Sequence, residues 1–170
     1  VSSAIMPNVF QQTGLRWLWI ALLVLVADQV TKQMVVKYMD LYQTIEVIPM
    51  FNLTYVHNYG AAFSFLSNAG GWQRWLFTLI AVVISGLILY WLKQSRREQA
   101  LLPCAFTLIL GGALGNVVDR LMFGYVIDFL DFYYQQWHWP AFNIADSAIC
   151  VGAVLLVIDA FRNNGVQTDD

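Results

Sequence analysis

Four aspartates fall between residues 119 and 146: Asp119, Asp128, Asp131 and Asp146. Carboxylates can do chemistry in pairs. Two of them about 3 Å apart cannot both ionise, so they share one proton. The ionised member takes a proton from water while the protonated member donates to a carbonyl oxygen, which hydrolyses a peptide bond without metal or cofactor. Other hydrolytic chemistries find less support. No H-E-x-x-H motif is present, and His57 and His138 stand far apart, reading as hydrogen-bonded or interfacial rather than as ligands. Ser85-Gly86 has no base nearby, and a lone Ser147 beside Asp146 is weak grounds for a serine mechanism. Cys104 and Cys150 sit in apolar stretches and read as small hydrophobes.

The elements that must position these acids are membrane helices. Of 170 residues, 59% are apolar and 12% charged, against roughly 25% charged in a soluble domain. That excludes a soluble domain, and the hydrophobicity excludes disorder. With 9 basic against 11 acidic residues there is no basic surplus, so no nucleic-acid partner is expected. Each crossing needs about 20 mostly apolar residues. Trp75–Leu92 and Leu101–Val118 meet that almost cleanly. Trp17–Ala27 suffices only if its helix runs on through Asp28 and Lys32 to Val36, and Ala141–Ile158 only with Asn143 and Asp146 inside it. A signal peptide is the rival for the first run, but Val26-Ala27-Asp28 is a poor cleavage site and apolar character resumes at Met34. The expectation is one membrane domain over 1–170, with helices at about 15–36, 73–92, 101–121 and 141–162 and outer segments at about 37–72 and 122–140.

Lys93, Arg96 and Arg97 place the connection between helices two and three in the cytoplasm, with both termini. Asp28 and Lys32, then Asn116, Asp119 and Arg120, and finally Asp146 all fall in the outer halves of three helices. Polar side chains also glue helices together, but glue alone would scatter through the membrane depth, so a site is favoured. Asp146 lies five residues into its expected helix, about 8 Å deep, in surroundings that suit a dyad member. Asp119 suits less, because Arg120 adjoins it. Composition leaves Asp128 and Asp131, both in an expected loop from Tyr125 to Tyr134, undecided. In the first outer segment, the alternation of Phe51, Leu53 and Tyr55 with Asn52 and Thr54, after Pro49, predicts a small strand pair.

Five blocks in order then resemble a known family: Asp28-Gln29-Val30-Thr31-Lys32, NYGAAF from Asn58, GGALGNVVDR from Gly111, VIDF from Val126 and FNIAD from Phe142. Together they resemble bacterial lipoprotein signal peptidases, the signal peptidase II family. The resemblance implies an α-helical integral membrane protein of four transmembrane helices. A small extracytoplasmic β-sheet, the cradle, and a short helix would lie between helices one and two. It implies an aspartic endopeptidase of the bacterial inner membrane, cutting diacylglyceryl-modified prolipoproteins just before the lipid-bearing cysteine, with membrane lipid around it. On the matching motifs the dyad is Asp128 and Asp146. Asn58, Gly60, Asn116, Arg120, Asn143 and Ala145 would support substrate or dyad, with Asp28, Lys32 and Asp119 as ordering residues. Asp131 is unassigned and reads as an interfacial acid. The alternative is a small proton-coupled transporter or channel subunit using the acids as a relay, but the repeated halves usual for transporters are not visible.

Overall fold

A computed structural model describes residues 9–60, 70–96 and 98–164. The expected short outer helix, Ala61 to Phe63 of the NYGAAF block, and Arg97 lie outside those residues. A short helix α1 (Val9–Gln12) and a 3₁₀ turn (Gly14–Trp17) lead into α2 (Leu18–Tyr38). A hairpin of β1 (Thr44–Ile48) and β2 (Phe51–Asn58) follows, then α3 (Gln73–Gln94) and α4 (Leu101–Met122). Strands β3 (Val126–Tyr134) and β4 (Trp137–His138) precede α5 (Ile144–Asn164). Four helical segments, Gly14–Tyr38, Gln73–Gln94, Leu101–Met122 and Ile144–Arg162, are long and apolar enough to cross a membrane. The first continues through Asp28 and Lys32, so those charges lie within a helix that runs on to Tyr38.

Burial is concentrated in α4, while α2, α3 and α5 turn rows such as Leu22, Val26, Leu79, Val83, Val151 and Val154 outward. Lipid is as apolar as leucine, so close packing rather than water exclusion holds such a bundle together. The glycines supply it. A Cβ on Gly111 would stand 2.7 Å from the Ala21 carbonyl oxygen of α2, and one on Gly112 would collide with that of Ala145 on α5. At Gly115 it would meet Asp28 Oδ2 at 2.6 Å. The central helix thus approaches both neighbours at backbone distance, and Asp28 fills the space a side chain at 115 would take.

The sheet is four-stranded and antiparallel in the order β1-β2-β3-β4. The hairpin β1–β2 stands where the alternation placed it. The expected loop holding Asp128 and Asp131 is instead strand β3, paired with β2 through a bulge between Leu53 and Val56. Val35 and Met39 at the end of α2 pack with Tyr55, Ile127 and Phe129, seating the sheet on the bundle. A bridge between Leu130 and Phe142 ties β3 to the entrance of α5.

Candidate active site

The entrance of α5 shows why the site forms where it does. Asn143 is the N-cap: its Oδ1 accepts from the Asp146 backbone N–H at 2.9 Å, and Asp146 Oδ2 accepts from the Asn143 N–H at 3.3 Å. This reciprocal pair is a capping box with aspartate at the third helical position. The neighbouring donor, the Ala145 N–H, goes to Asp28 Oδ1 at 2.9 Å. Asp28 thereby caps a helix other than its own and sets a negative charge at its N-terminus. Since α5 begins at Ile144, Asp146 lies in the first turn rather than five residues down.

Asn143 also reaches β3. Its Nδ2 donates to Asp128 Oδ1 at 2.7 Å, with Asn116 Oδ1 and the Ile127 carbonyl at 3.2 Å. Asn58 donates to Asp128 Oδ2 at 2.8 Å, and Asn116 donates to Asp146 Oδ1 at 2.8 Å. One residue therefore touches both carboxylates, and each carboxylate has an amide donor from a second element. Burial first, then the negative charge of Asp146, push the Asp128 carboxyl up to about 7 against the hydrogen bonds from Asn58 and Asn143.

Behind this layer lies a buried ionic one. Lys32, fully enclosed, donates to Asp28 Oδ2 at 2.8 Å, Asp119 Oδ2 at 2.9 Å and Asn116 Oδ1 at 3.1 Å. The ammonium settles which way the Asn116 amide lies. Flipped, its NH₂ would face another donor, so it stays turned toward Asp146. Asp119 Oδ2 also accepts from the Ile127 N–H at 3.0 Å, fixing β3 one residue before Asp128. Its partner is Lys32, not the adjacent Arg120. Arg120 instead donates weakly to the Gly60 carbonyl at 3.4 Å and lies 5.3 Å over the Phe77 ring. Gly60 in turn donates its N–H to Asn58 Oδ1 at 3.0 Å, so every assigned residue joins one connected cluster.

Asp131 is not an exposed acid. It is buried on the opposite side of β3 from Asp128, accepting from Asn52 at 3.3 Å and Thr54 at 2.9 Å and pairing with His138 at 2.9 Å. Gln29 was unassigned, yet it donates to Asp119 Oδ1 at 2.9 Å and to the Gly115 carbonyl at 3.2 Å. A glutamine beside Asp28 inside a membrane span was the available signal. His57 stacks 3.7 Å from the Tyr125 ring and meets the Tyr55 hydroxyl at 2.8 Å, and burial lowers its proton affinity. Cys104 and Cys150 are free thiols. Among the described residues no group of three or more His, Cys, Asp or Glu could hold a metal ion.

Carboxylates and amides gathered at one end of a four-helix bundle place the chain among polytopic membrane enzymes. The family described as Signal peptidase (SPase) II matches residues 20–162. A lipoprotein signal peptidase of Alteromonas mediterranea is 64% identical over 97% of this chain and 91% of its own. That of Pseudoalteromonas atlantica is also 64% identical, over 93% of this chain and 96% of its own. A bacterial membrane enzyme solved by the in meso method at 2.3 Å superposes with a TM-score of 0.82 at 31% identity, covering 91% of this chain and 93% of that one. A second, at 1.9 Å, gives 0.75 at 30% identity, covering 94% and 99%. The chain belongs to the signal peptidase II family and is a membrane peptidase.

Proposed function

We propose that this peptidase is an aspartic endopeptidase of the bacterial inner membrane. It removes the signal peptide from diacylglyceryl-modified prolipoproteins, cutting N-terminal to the lipidated cysteine. The observation that carries the aspartic reading is Asn143, which binds Asp128 through its side chain and Asp146 through a capping box. The relatives named lipoprotein signal peptidase supply the substrate class. Lys93 and Arg96 orient the α3–α4 connection to the cytoplasm, which puts both termini there and the carboxylates near the outer face.

The dyad holds one proton between its two members, because their negative charges oppose each other in a buried site. Its ionised carboxylate accepts a proton from water as the oxygen attacks the scissile carbonyl. The protonated carboxyl donates to the carbonyl oxygen, giving a neutral gem-diol. On collapse the C–N bond breaks, the leaving nitrogen takes a proton from the first carboxyl, and the gem-diol returns one to the second. Asn58, Asn116 and Asn143 hold the carboxylates in place throughout, so little reorganisation accompanies the charge shift. A lipid-anchored cysteine would hold the scissile bond at the height of the outer membrane boundary. The test is purified protein in detergent with a prolipoprotein bearing or lacking the diacylglyceryl group, read by product mass. Cleavage before the cysteine should be strong only with lipid. Equal rates on both would overturn the substrate assignment.

A further inference from the structure

The sheet ends in an aromatic hairpin that the proposed reaction does not use. From Phe132 to Phe142 the chain reads FYYQQWHWPAF, without a single Asp, Glu, Lys or Arg. Met50, Phe132, Tyr134, Trp137, Trp139 and Phe142 line an open groove of about 420 Å³. Trp137 and Tyr134 are each 61% exposed and Phe132 50%. An apolar surface this continuous marks a contact with something other than water.

Its place in the fold says what that is. Phe142 stacks on Phe132 with ring centroids 5.9 Å apart, and its carbonyl accepts from the N–H groups of Phe129 and Leu130. Two residues later α5 begins, a membrane-crossing segment whose outward row includes Val151 and Val154. The groove therefore adjoins the start of a membrane-crossing segment, the level where a span meets water. Tryptophan and tyrosine gather at that level because their rings are apolar and their N–H or O–H groups are polar. The polar side of the hairpin is already engaged: Asp131 faces away from Phe132 and binds Asn52, Thr54 and His138.

We propose that the β3–β4 hairpin is docked in the outer bilayer interface, its groove filled by the glycerol and upper acyl region of a membrane phospholipid. The docking fixes the height of Asp128. That residue lies four positions before Phe132 on the same strand, about 13 Å at 3.3 Å per residue. Tyr133, also on the groove, donates its hydroxyl to Glu46 of β1 at 3.3 Å.

Depth measurement tests this independently of catalysis. The protein carrying Cys104→Ala and Cys150→Ala receives a single label at Trp137→Cys or Tyr134→Cys, with Glu98→Cys in the exposed α3–α4 connection and Leu22→Cys as water and lipid references. In phosphatidylethanolamine–phosphatidylglycerol vesicles with iodide on both sides, quenching at 134 and 137 should fall about threefold or more below that at 98. Lipids brominated at the top of their acyl chains should quench both. Iodide quenching at 134 and 137 equal to that at 98 would overturn the proposal and leave the surface to a protein partner or to solvent.

Discussion

Replacing Lys32 by methionine removes a cation that compensates two buried carboxylates at once. Its ammonium stands 2.8 Å from Asp28 Oδ2 and 2.9 Å from Asp119 Oδ2, and all three side chains are essentially inaccessible. Breaking a buried ion pair by removing one partner costs about 3–5 kcal/mol, because the remaining charge is stranded. Here two are stranded, so the upper end of that range applies. The loss should appear as a lower midpoint in a denaturant titration of the detergent-solubilised protein, followed by circular dichroism. Adding Asp28→Asn to the same chain removes one stranded charge while keeping an oxygen for the Ala145 N–H, and should recover about half the loss. Peptidase activity should stay low even in the double variant, since Asn116 Oδ1 has lost its charged donor at 3.1 Å and keeps only the Asn143 amide at 3.2 Å, which holds it less firmly toward Asp146. A loss below about 1 kcal/mol, or a double variant less stable than the single, would refute the view that Lys32 neutralises this layer.

Two further outcomes follow from packing and protonation. Gly115→Ala puts a methyl 2.6 Å from Asp28 Oδ2, and overpacking of this kind costs about 1–3 kcal/mol; both unfolding midpoint and activity should drop, whereas Gly86→Ala, which meets nothing within 4 Å, should change neither. For Asp128, raised from 3.8 to about 7, the folded protein keeps a proton between those values that the unfolded chain has lost. Its contribution to stability is therefore greatest near the lower value and declines as pH rises to the upper one. Unfolding midpoints compared at about pH 5 and about pH 8 should fall more steeply in the wild type than in Asp128→Asn; parallel slopes would remove Asp128 as the titrating group.

Much of this was legible because membrane helices are written in composition. The four spans and the β1–β2 alternation need only local pattern. Strand β3 was not legible as a strand. Its run from Val126 to Tyr134 is buried on both faces through Phe129, so the period of two that marks a half-exposed strand is hidden behind a near-continuous apolar run. Asp131 looked interfacial because its partners come from β2 and β4, which pairing brings together and sequence does not. Arg120 misled for a related reason. Adjacent residues on a helix do not share a face, so Asp119 turns to Lys32 while Arg120 turns to Gly60 and Phe77. The motifs chose Asp128 over Asp131, and the two carboxylates occupy opposite sides of β3.

The central claim is that Asp128 and Asp146 form the hydrolytic pair, and the direct measurement is cleavage by single amide variants. Asp128→Asn and Asp146→Asn each keep the shape and most hydrogen bonds of the site but can neither accept the proton of water nor share one. Initial rates on a diacylglyceryl-modified prolipoprotein, with circular dichroism to show that the variants fold, compare them with Asp131→Asn as the buried-carboxylate control. The account predicts no detectable cleavage by the first two and most of the wild-type rate from the third. Full activity in Asp128→Asn or Asp146→Asn, or abolition in Asp131→Asn alone, would contradict it.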